Sequence, residues 1–411
     1  VADPARRGLR AHPTVRLLSG GAFARYSAAN FLSLVGSWGQ RVAAGWLVWD
    51  WTGSAFWLGV LAMADLVPVV VIGPFAGVLA DRWSRLRVNR VFQSALAALA
   101  AGMAALIYTE VITLWLLVAL TAVNGVLTAL TQPARLALVQ ELVPREDVPP
   151  AVAINAVKSN LARLVGPAVA AIMIVHLHIS WVFLGNALVT ALFVGVLGRL
   201  VLIPSLRRRP TGGVLAQIAE GFRFLLNEPA LRLVLAMMLA GGVLVRGLGE
   251  LLPAFAARSF ADTVTGLALL TSSLAFGAVL AGLTLSRPAS DRVMLRRATS
   301  AWAWGAAFGC AFGWAETPWL AMACICGAGV FMARGLILSQ TFLQLRTPDE
   351  MRGRALSVHG LIARSSPALG ALGIGLAIDT FGLGPSVTGA SVLCVAIFAS
   401  CLPGVLRQRD G

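Results

Sequence analysis

The chain has 411 residues, of which 58% are hydrophobic and only 12% are Asp, Glu, Lys or Arg, and its mean hydropathy is +0.81. A soluble domain carries about 25% charged residues, and a chain folded in water could not cover this much apolar surface. A soluble enzyme, a disordered chain and a disulfide scaffold are excluded, which leaves a polytopic membrane protein. The formal charge of +15 comes from 33 basic and 18 acidic residues, and every basic residue except Lys158 is Arg. These charges fall in short gaps between apolar runs, without interleaved stacking aromatics, so no nucleic-acid partner is expected.

Residues 1–21 contain Arg6, Arg7, Arg10 and Arg16 and lead into a long apolar run. No small-residue cleavage site follows, so a cytoplasmic tail is expected rather than an export signal. A membrane-spanning helix needs about 20 mostly apolar residues. Windows of that kind fall at 22–52, 54–80, 88–108, 111–133, 149–175, 179–203, 230–257, 264–286, 293–313, 317–343, 354–378 and 384–406. Backbone groups cannot go unpaired in lipid, and these runs are too long and too rich in Ala, Leu and Gly for barrel strands. The expected fold is an all-α polytopic membrane protein with twelve transmembrane helices.

The termini and the gaps after even-numbered spans hold 26 Arg and Lys, the gaps after odd-numbered spans hold only Arg258, and six lie within spans. Positive charge marks the inner side, so both termini are expected in the cytoplasm. Trp46, Trp49, Trp51, Trp57, Trp115, Trp181, Trp314 and Trp319 fall near the opposite ends and read as an interfacial belt. Residues 204–229 begin with Pro204, Arg207, Arg208, Arg209 and Pro210 and continue with Val214, Ile218, Phe222 and Leu225 at helical spacing. That segment is expected to be an amphipathic helix on the inner membrane surface, linking bundles at 22–203 and 230–406, with a short tail at 407–411.

A shift of 205 superimposes Arg41 on Arg246, Gly36 on Gly241, and Gly77-x-x-x-Asp81-Arg82 on Gly282-x-x-x-Ser286-Arg287. A shift of 204 puts Pro144 on Pro348. Two parallel halves of six spans, pseudo-symmetric about the membrane normal, are implied.

The run Gly77-Val-Leu-Ala-Asp81-Arg82-Trp-Ser84-Arg85-Leu-Arg87 resembles the signature of the major facilitator superfamily, with Ser84 where that family usually has Gly. Gly36-Ser-Trp-Gly-Gln40-Arg41, Pro133-Ala-Arg135, Glu141-Leu-Val-Pro144-Arg145-Glu146-Asp147 and Asn160-Leu-Ala-Arg163-Leu-Val-Gly166-Pro167 are similar to its enterobactin-exporter-like, transmembrane secretion effector branch. The resemblance implies alternating access in a bacterial plasma membrane, with Gly77, Asp81, Arg82 and Arg85 as a cytoplasmic gate. Gly166 and Pro167 resemble a helix-bend motif that leans toward export.

An ionisable group in a span is costly and marks a cavity or a partner. Asp65 and Glu250 are the two acids clearly inside spans. Asp65 and Arg41 each lie 12 residues from Gly53, or roughly 18 Å from that turn at about 1.5 Å per residue. Arg246 and Glu250 are four apart in one expected span, on one helix face. Asp65 or Glu250 is expected to couple protons. Arg41, Arg246, Lys158, Arg163, Gln40, Arg334 and Arg364 are expected to line a substrate cavity suited to anionic or amphipathic cargo. Fixed ion pairs that only hold helices together remain the other reading of the same residues.

No Gly-x-x-x-x-Gly-Lys-Ser/Thr loop exists for ATP, and the four His and five Cys form no metal or nucleophile set, so neither cofactor, metal nor enzyme activity is expected. The expected protein is a proton-coupled exporter of drug- or siderophore-like compounds, a monomer whose partners are its small-molecule substrate, protons and membrane lipids. A lysophospholipid or other lipid-like carrier is the alternative within transport. A transport-fold sensor or assembly partner is the alternative of another class.

Overall fold

The computed structural model describes residues 13–200, 214–284 and 290–406, with the backbone alone for residues 13–14, 74–75, 77–82, 214–218, 349 and 401–406. The linker run from Pro204 to Pro210, the tails 1–12 and 407–411, and Ser286 with Arg287 lie outside these residues. Among the described residues all regular structure is helical. In chain order the helices are α1 (Pro13–Leu18), α2 (Gly21–Thr52), α3 (Ala55–Arg82), α4 (Arg85–Tyr108), α5 (Leu114–Glu141), α6 (Val148–His176), α7 (Ser180–Gly198), α8 (Val214–Asn227), α9 (Pro229–Leu244), α10 (Leu252–Ser259), α11 (Thr263–Thr284), α12 (Asp291–Gly313), α13 (Pro318–Arg346), α14 (Asp349–Phe381) and α15 (Leu383–Leu406).

Local chemistry sets where they stop. Gly53, at φ 57°, makes the turn between α2 and α3, a conformation that penalises any Cβ. Ser84 caps α4 by accepting from the Arg87 amide, and Thr113 caps α5 by accepting from the Leu116 amide. Prolines open α6, α9, α10 and α13, where a missing N–H costs nothing.

The window 230–257 is not one helix. α9 ends at Leu244, a 3-10 turn runs over Arg246–Glu250, and α10 follows. Gly241, Gly242, Gly247 and Gly249 weaken the helix there and Pro253 restarts it. At three residues per turn, Arg246 and Glu250 do not stack on one face, which corrects the helical-spacing argument for that pair.

Ten of the described helical segments are long and apolar enough to cross a membrane. α2 and α12 are not among them. α2 carries Arg25, Arg41 and Asp50, and the first two turns of α12 carry Asp291, Arg292, Arg296 and Arg297.

The chain divides into two compact units, one of Val1–Ala43 with Pro68–Thr211 and the other of Ala44–Val67 with Gly212–Gly411. In the first unit, α4 packs on α5 and α7, and α6 on α5 and α7. A core of Phe23, Tyr26, Leu138, Ala151, Phe193 and Leu197 joins α2, α5, α6 and α7. In the second unit, α13 packs on α11 and α12, and α14 on α9 and the 3-10 turn. Trp302 is fully buried there against Gly241 and Gly335, and Phe255 stacks on Phe312 at 4.2 Å.

The hairpin around Gly53 belongs to the second unit. A Cβ on Gly59 would meet the Leu372 backbone at 2.5 Å, so α3 lies almost against α14. α8 docks on α14. Gly221 lets the Arg354 backbone approach, Glu220 pairs with Arg354 at 2.5 Å, and Leu225 is fully buried.

Candidate functional site

The polar groups of the first unit gather where α2 meets α6 and α7. Gly166 makes the α2–α6 approach possible, since a Cβ there would stand 2.6 Å from the Trp38 Cβ and 2.8 Å from the Val35 carbonyl oxygen. Pro167 follows inside the helix and is buried. Above this crossing the Trp38 ring carries two guanidinium groups, Arg163 at 4.8 Å from its centroid and Arg41 at 5.9 Å. Each such contact contributes about 0.5–1 kcal/mol at exposed sites and more where water is excluded. Arg163 is exposed and Arg41 half-buried.

Gln40 is buried, and its carbonyl accepts from the Asn186 Nδ2 at 2.7 Å. Asn186 Oδ1 accepts from Thr190, and Thr190 shares a hydrogen bond with Ser33. This chain of side chains binds α2 to α7, and interhelical bonds of this kind contribute about 0.6 kcal/mol each in membrane proteins. A Cβ on Gly36 would strike Asn186 Oδ1 at 2.7 Å, so the glycine makes room for the network. Asn186 was not legible as a polar partner because nothing in its local sequence ties it to Gln40.

Lys158 is buried on α6, with its ammonium 5.2 Å from the Tyr26 ring centroid. Tyr26 in turn donates to the Arg135 carbonyl at 3.5 Å. Of the gate motif, Arg85 pairs with Glu141 at 2.6 Å, and Ser84 is the helix cap already described. Gly77, Asp81 and Arg82 lie on α3, and their side chains are outside the described residues. Arg16 on α1 pairs with Asp147 at 2.5 Å.

In the second unit Arg246 donates to the Ala363 carbonyl at 2.7 Å, tying the 3-10 turn to α14. Glu250 closes that turn and is half-buried, as are Asp65 on α3 and Arg334 on α13, while Arg364 on α14 is exposed. His359 is buried on α14 within reach of the Arg246 charge. Asp379, near the end of α14, accepts from Ser54 Oγ, the Ala55 amide at 2.9 Å and the Phe56 amide at 3.2 Å. It therefore caps α3 from another helix and fastens the hairpin.

Two cavities lie in this unit. One of about 560 Å³ is lined by Trp46, Trp49, Asp50 and Asp262 among others. The other, about 430 Å³ and mostly apolar, lies among α9, α14 and α15. Neither is lined by the cavity residues expected from sequence. Among the described residues no group of three or more His, Cys, Asp or Glu could hold a metal ion.

Long apolar helices with small-residue crossings and a few ionised side chains within them define the class of helical membrane proteins. Solved structures bear out the fold. The chain superimposes on nucleoside transporter NupG with a TM-score of 0.70 at 16% identity, covering 94% of this chain and 99% of that one. It superimposes on a D-xylose-proton symporter with a TM-score of 0.68 at 15% identity, covering 91% and 96%.

Residues 14–410 match the family described as transmembrane secretion effector, and the chain belongs to that family of the major facilitator superfamily. It is a transporter and not an enzyme. It is similar to the staphyloferrin A transporter of Staphylococcus aureus, at 23% identity over 90% of this chain and 94% of that one. It is similar to the multidrug efflux pump Tap of Mycolicibacterium fortuitum, at 28% over 90% and 92%. With the enterobactin exporter EntS of Citrobacter koseri it shares 27% over 87% and 82%.

Proposed function

We propose that this chain is a proton-coupled exporter of small anionic or amphipathic compounds, drug-like or siderophore-like, working by alternating access. The reading places twelve spans in two six-helix bundles, 22–203 and 230–406, joined by 204–229. It places both termini in the cytoplasm of a bacterium, with the protein a monomer in the inner membrane. Gly77, Asp81, Arg82 and Arg85 act as the gate on the cytoplasmic side, and Asp65 and Glu250 exchange protons. Arg41, Arg163, Arg246, Arg334 and Arg364 supply the positive field that cargo meets.

The observation that carries this reading is the excess of cations over acids within the spans, with two guanidinium groups held against one indole ring at Trp38. Guanidinium and indole together suit a planar anion, which can pair with the charge and stack on the ring. The names of relatives support the cargo class, since three of them are a siderophore transporter, a drug pump and a siderophore exporter.

The test uses proteoliposomes loaded by an imposed proton gradient, with 2,3-dihydroxybenzoylserine, erythromycin and a lysophospholipid as probes. Gradient-dependent accumulation of the first two, lost in Asp65→Asn or Glu250→Gln, is the expected result. Flux indifferent to the gradient would overturn proton coupling, and movement of the lysophospholipid alone would overturn the cargo.

A further inference from the structure

Lys158 and His359 occupy the same place in the two halves. Val157-Lys158-Ser159-Asn160-Leu161-Ala162-Arg163 aligns with Val358-His359-Gly360-Leu361-Ile362-Ala363-Arg364 at an offset of 201. A helix-interior proline follows each segment, Pro167 in α6 and Pro367 in α14. Lys158 lies ten residues beyond Val148, the first residue of α6, and His359 ten beyond Asp349, the first of α14.

The two environments also correspond. Lys158 is 7% exposed and His359 6%. Lys158 Nζ and His359 Nε2 are both buried with no hydrogen-bond partner among the described residues. Lys158 faces the Tyr26 ring of α2 and the Arg135 charge of α5. His359 faces the Arg246 charge of the 3-10 turn. Five residues further on, Arg163 lies against the Trp38 ring and Arg364 is exposed.

The choice of residue decides between a fixed and a changeable charge. The chain uses Arg 32 times and Lys once. Arginine cannot give up its proton inside a protein, whereas lysine and histidine can. An isolated buried ion with no counter-ion is costly, and a titratable group can shed that cost by changing its charge. A bound substrate anion is a poorer explanation, because neither nitrogen is open to a cavity, while a proton needs only a transient file of water.

We propose that Lys158 and His359 are a repeat-related pair of proton sites, one in each half of the transporter. Each takes a proton from water when its surroundings open to one side of the membrane and returns it to water when they open to the other. This rests on the proton-driven reading above and adds two basic sites to the acidic pair proposed there.

The single lysine makes a direct test simple. Full-length protein labelled with ¹⁵N-lysine and ¹⁵N-histidine is reconstituted in lipid nanodiscs, with the His359 signal assigned by its loss in His359→Gln. Each signal is expected to change charge state at a pH within the range over which the protein stays folded. In proteoliposomes, Lys158→Met and His359→Gln are each expected to abolish gradient-driven accumulation of 2,3-dihydroxybenzoylserine. Downhill exchange of the same compound should persist, and Lys158→Arg should fail like Lys158→Met.

Signals that hold one charge state throughout, or a Lys158→Arg variant that accumulates like the wild type, would overturn the proposal. Wild-type protein that moves none of the probes against a gradient sinks the exporter reading instead, and the titration of the two signals still decides this one.

Discussion

Replacing Gly166 by Ala tests the crossing that positions Trp38 and its two guanidinium groups. The added Cβ would stand 2.6 Å from the Trp38 Cβ, 2.8 Å from the Val35 carbonyl oxygen and 3.2 Å from the Gly39 amide nitrogen. Carbon atoms in contact sit about 3.5–4.0 Å apart, so α2 and α6 must part by about 1 Å. Two of the three obstacles are backbone atoms that cannot rotate away. Overpacking of this kind costs about 1–3 kcal/mol, while Ala gains about 1 kcal/mol over Gly in a helix interior. Gly102→Ala isolates the second term, because nothing lies within 4 Å of a Cβ there. The two variants should therefore differ in stability by about 1–3 kcal/mol, with Gly166→Ala the weaker. Thermal unfolding in one detergent, followed by tryptophan fluorescence, measures both. A Gly166→Ala protein as stable as Gly102→Ala would refute the close crossing.

Arg85 is the first residue of α4 and Glu141 the last of α5, whereas their counterparts in the second half are Asp291, first of α12, and Arg346, last of α13, paired at 2.9 Å. Only the second pair suits the helix dipoles, so the exchange Arg85→Glu with Glu141→Arg keeps a pair and moves both charges to favourable ends. At about 0.3–1 kcal/mol per charge, the double variant should melt at or above the wild type and each single variant below it; a double variant as weak as the singles would contradict this. Asp262 accepts from the Thr265 hydroxyl at 2.5 Å and from the Val264 and Thr265 amides, bonds that hold its carboxyl below the usual aspartate range. Such a group stabilises the fold above its unfolded pKa and loses that contribution as pH falls through its folded value. Asp262→Ala should lower the melting temperature at neutral pH by the low end of an N-cap loss, about 0.5 kcal/mol, and the gap to the wild type should close in acid; a gap independent of pH would count against it. Asp379→Ala should speed hydrogen exchange at the Ala55 and Phe56 amides at a cost of about 1 kcal/mol, with Asp379→Asn closer to the wild type, and unchanged exchange in the Ala variant would show that the cap is idle.

Helices were legible wherever an apolar run and its stop signal coincided. Ser84, Thr113 and the prolines at 149, 229 and 318 stand within a few residues of the expected edges. The break at Arg246 was not read, because apolar content continues through it and only the clustered glycines disclose it. Asp379 escaped notice because its partners, Ser54 to Phe56, are more than 300 residues away in sequence. His359 was passed over as a lone histidine, although the offset of 201 that aligns it with Lys158 was present throughout. A search for one repeat offset along the whole chain loses that alignment, since loops of different length change the offset from 205 at Arg41 to 201 at Lys158.

What the two halves keep and what they change differ in kind. They keep the residues that shape the backbone, such as Pro167 within α6 and Pro367 within α14. They also keep a cation tied to that helix, Arg41 through the shared Trp38 ring and Arg246 through the Ala363 carbonyl. They change the groups whose charge can be exchanged or reversed, Lys158 for His359 and the Arg85–Glu141 pair for the opposite polarity of Asp291–Arg346. Two halves with like scaffolds but unlike titratable groups differ in how their charge responds to pH. Making the halves alike, by Lys158→His, should therefore leave the fold and downhill exchange intact while shifting the pH profile of uphill transport toward that of a single kind of site. An unshifted profile would mean that the difference between Lys158 and His359 does not set the pH response.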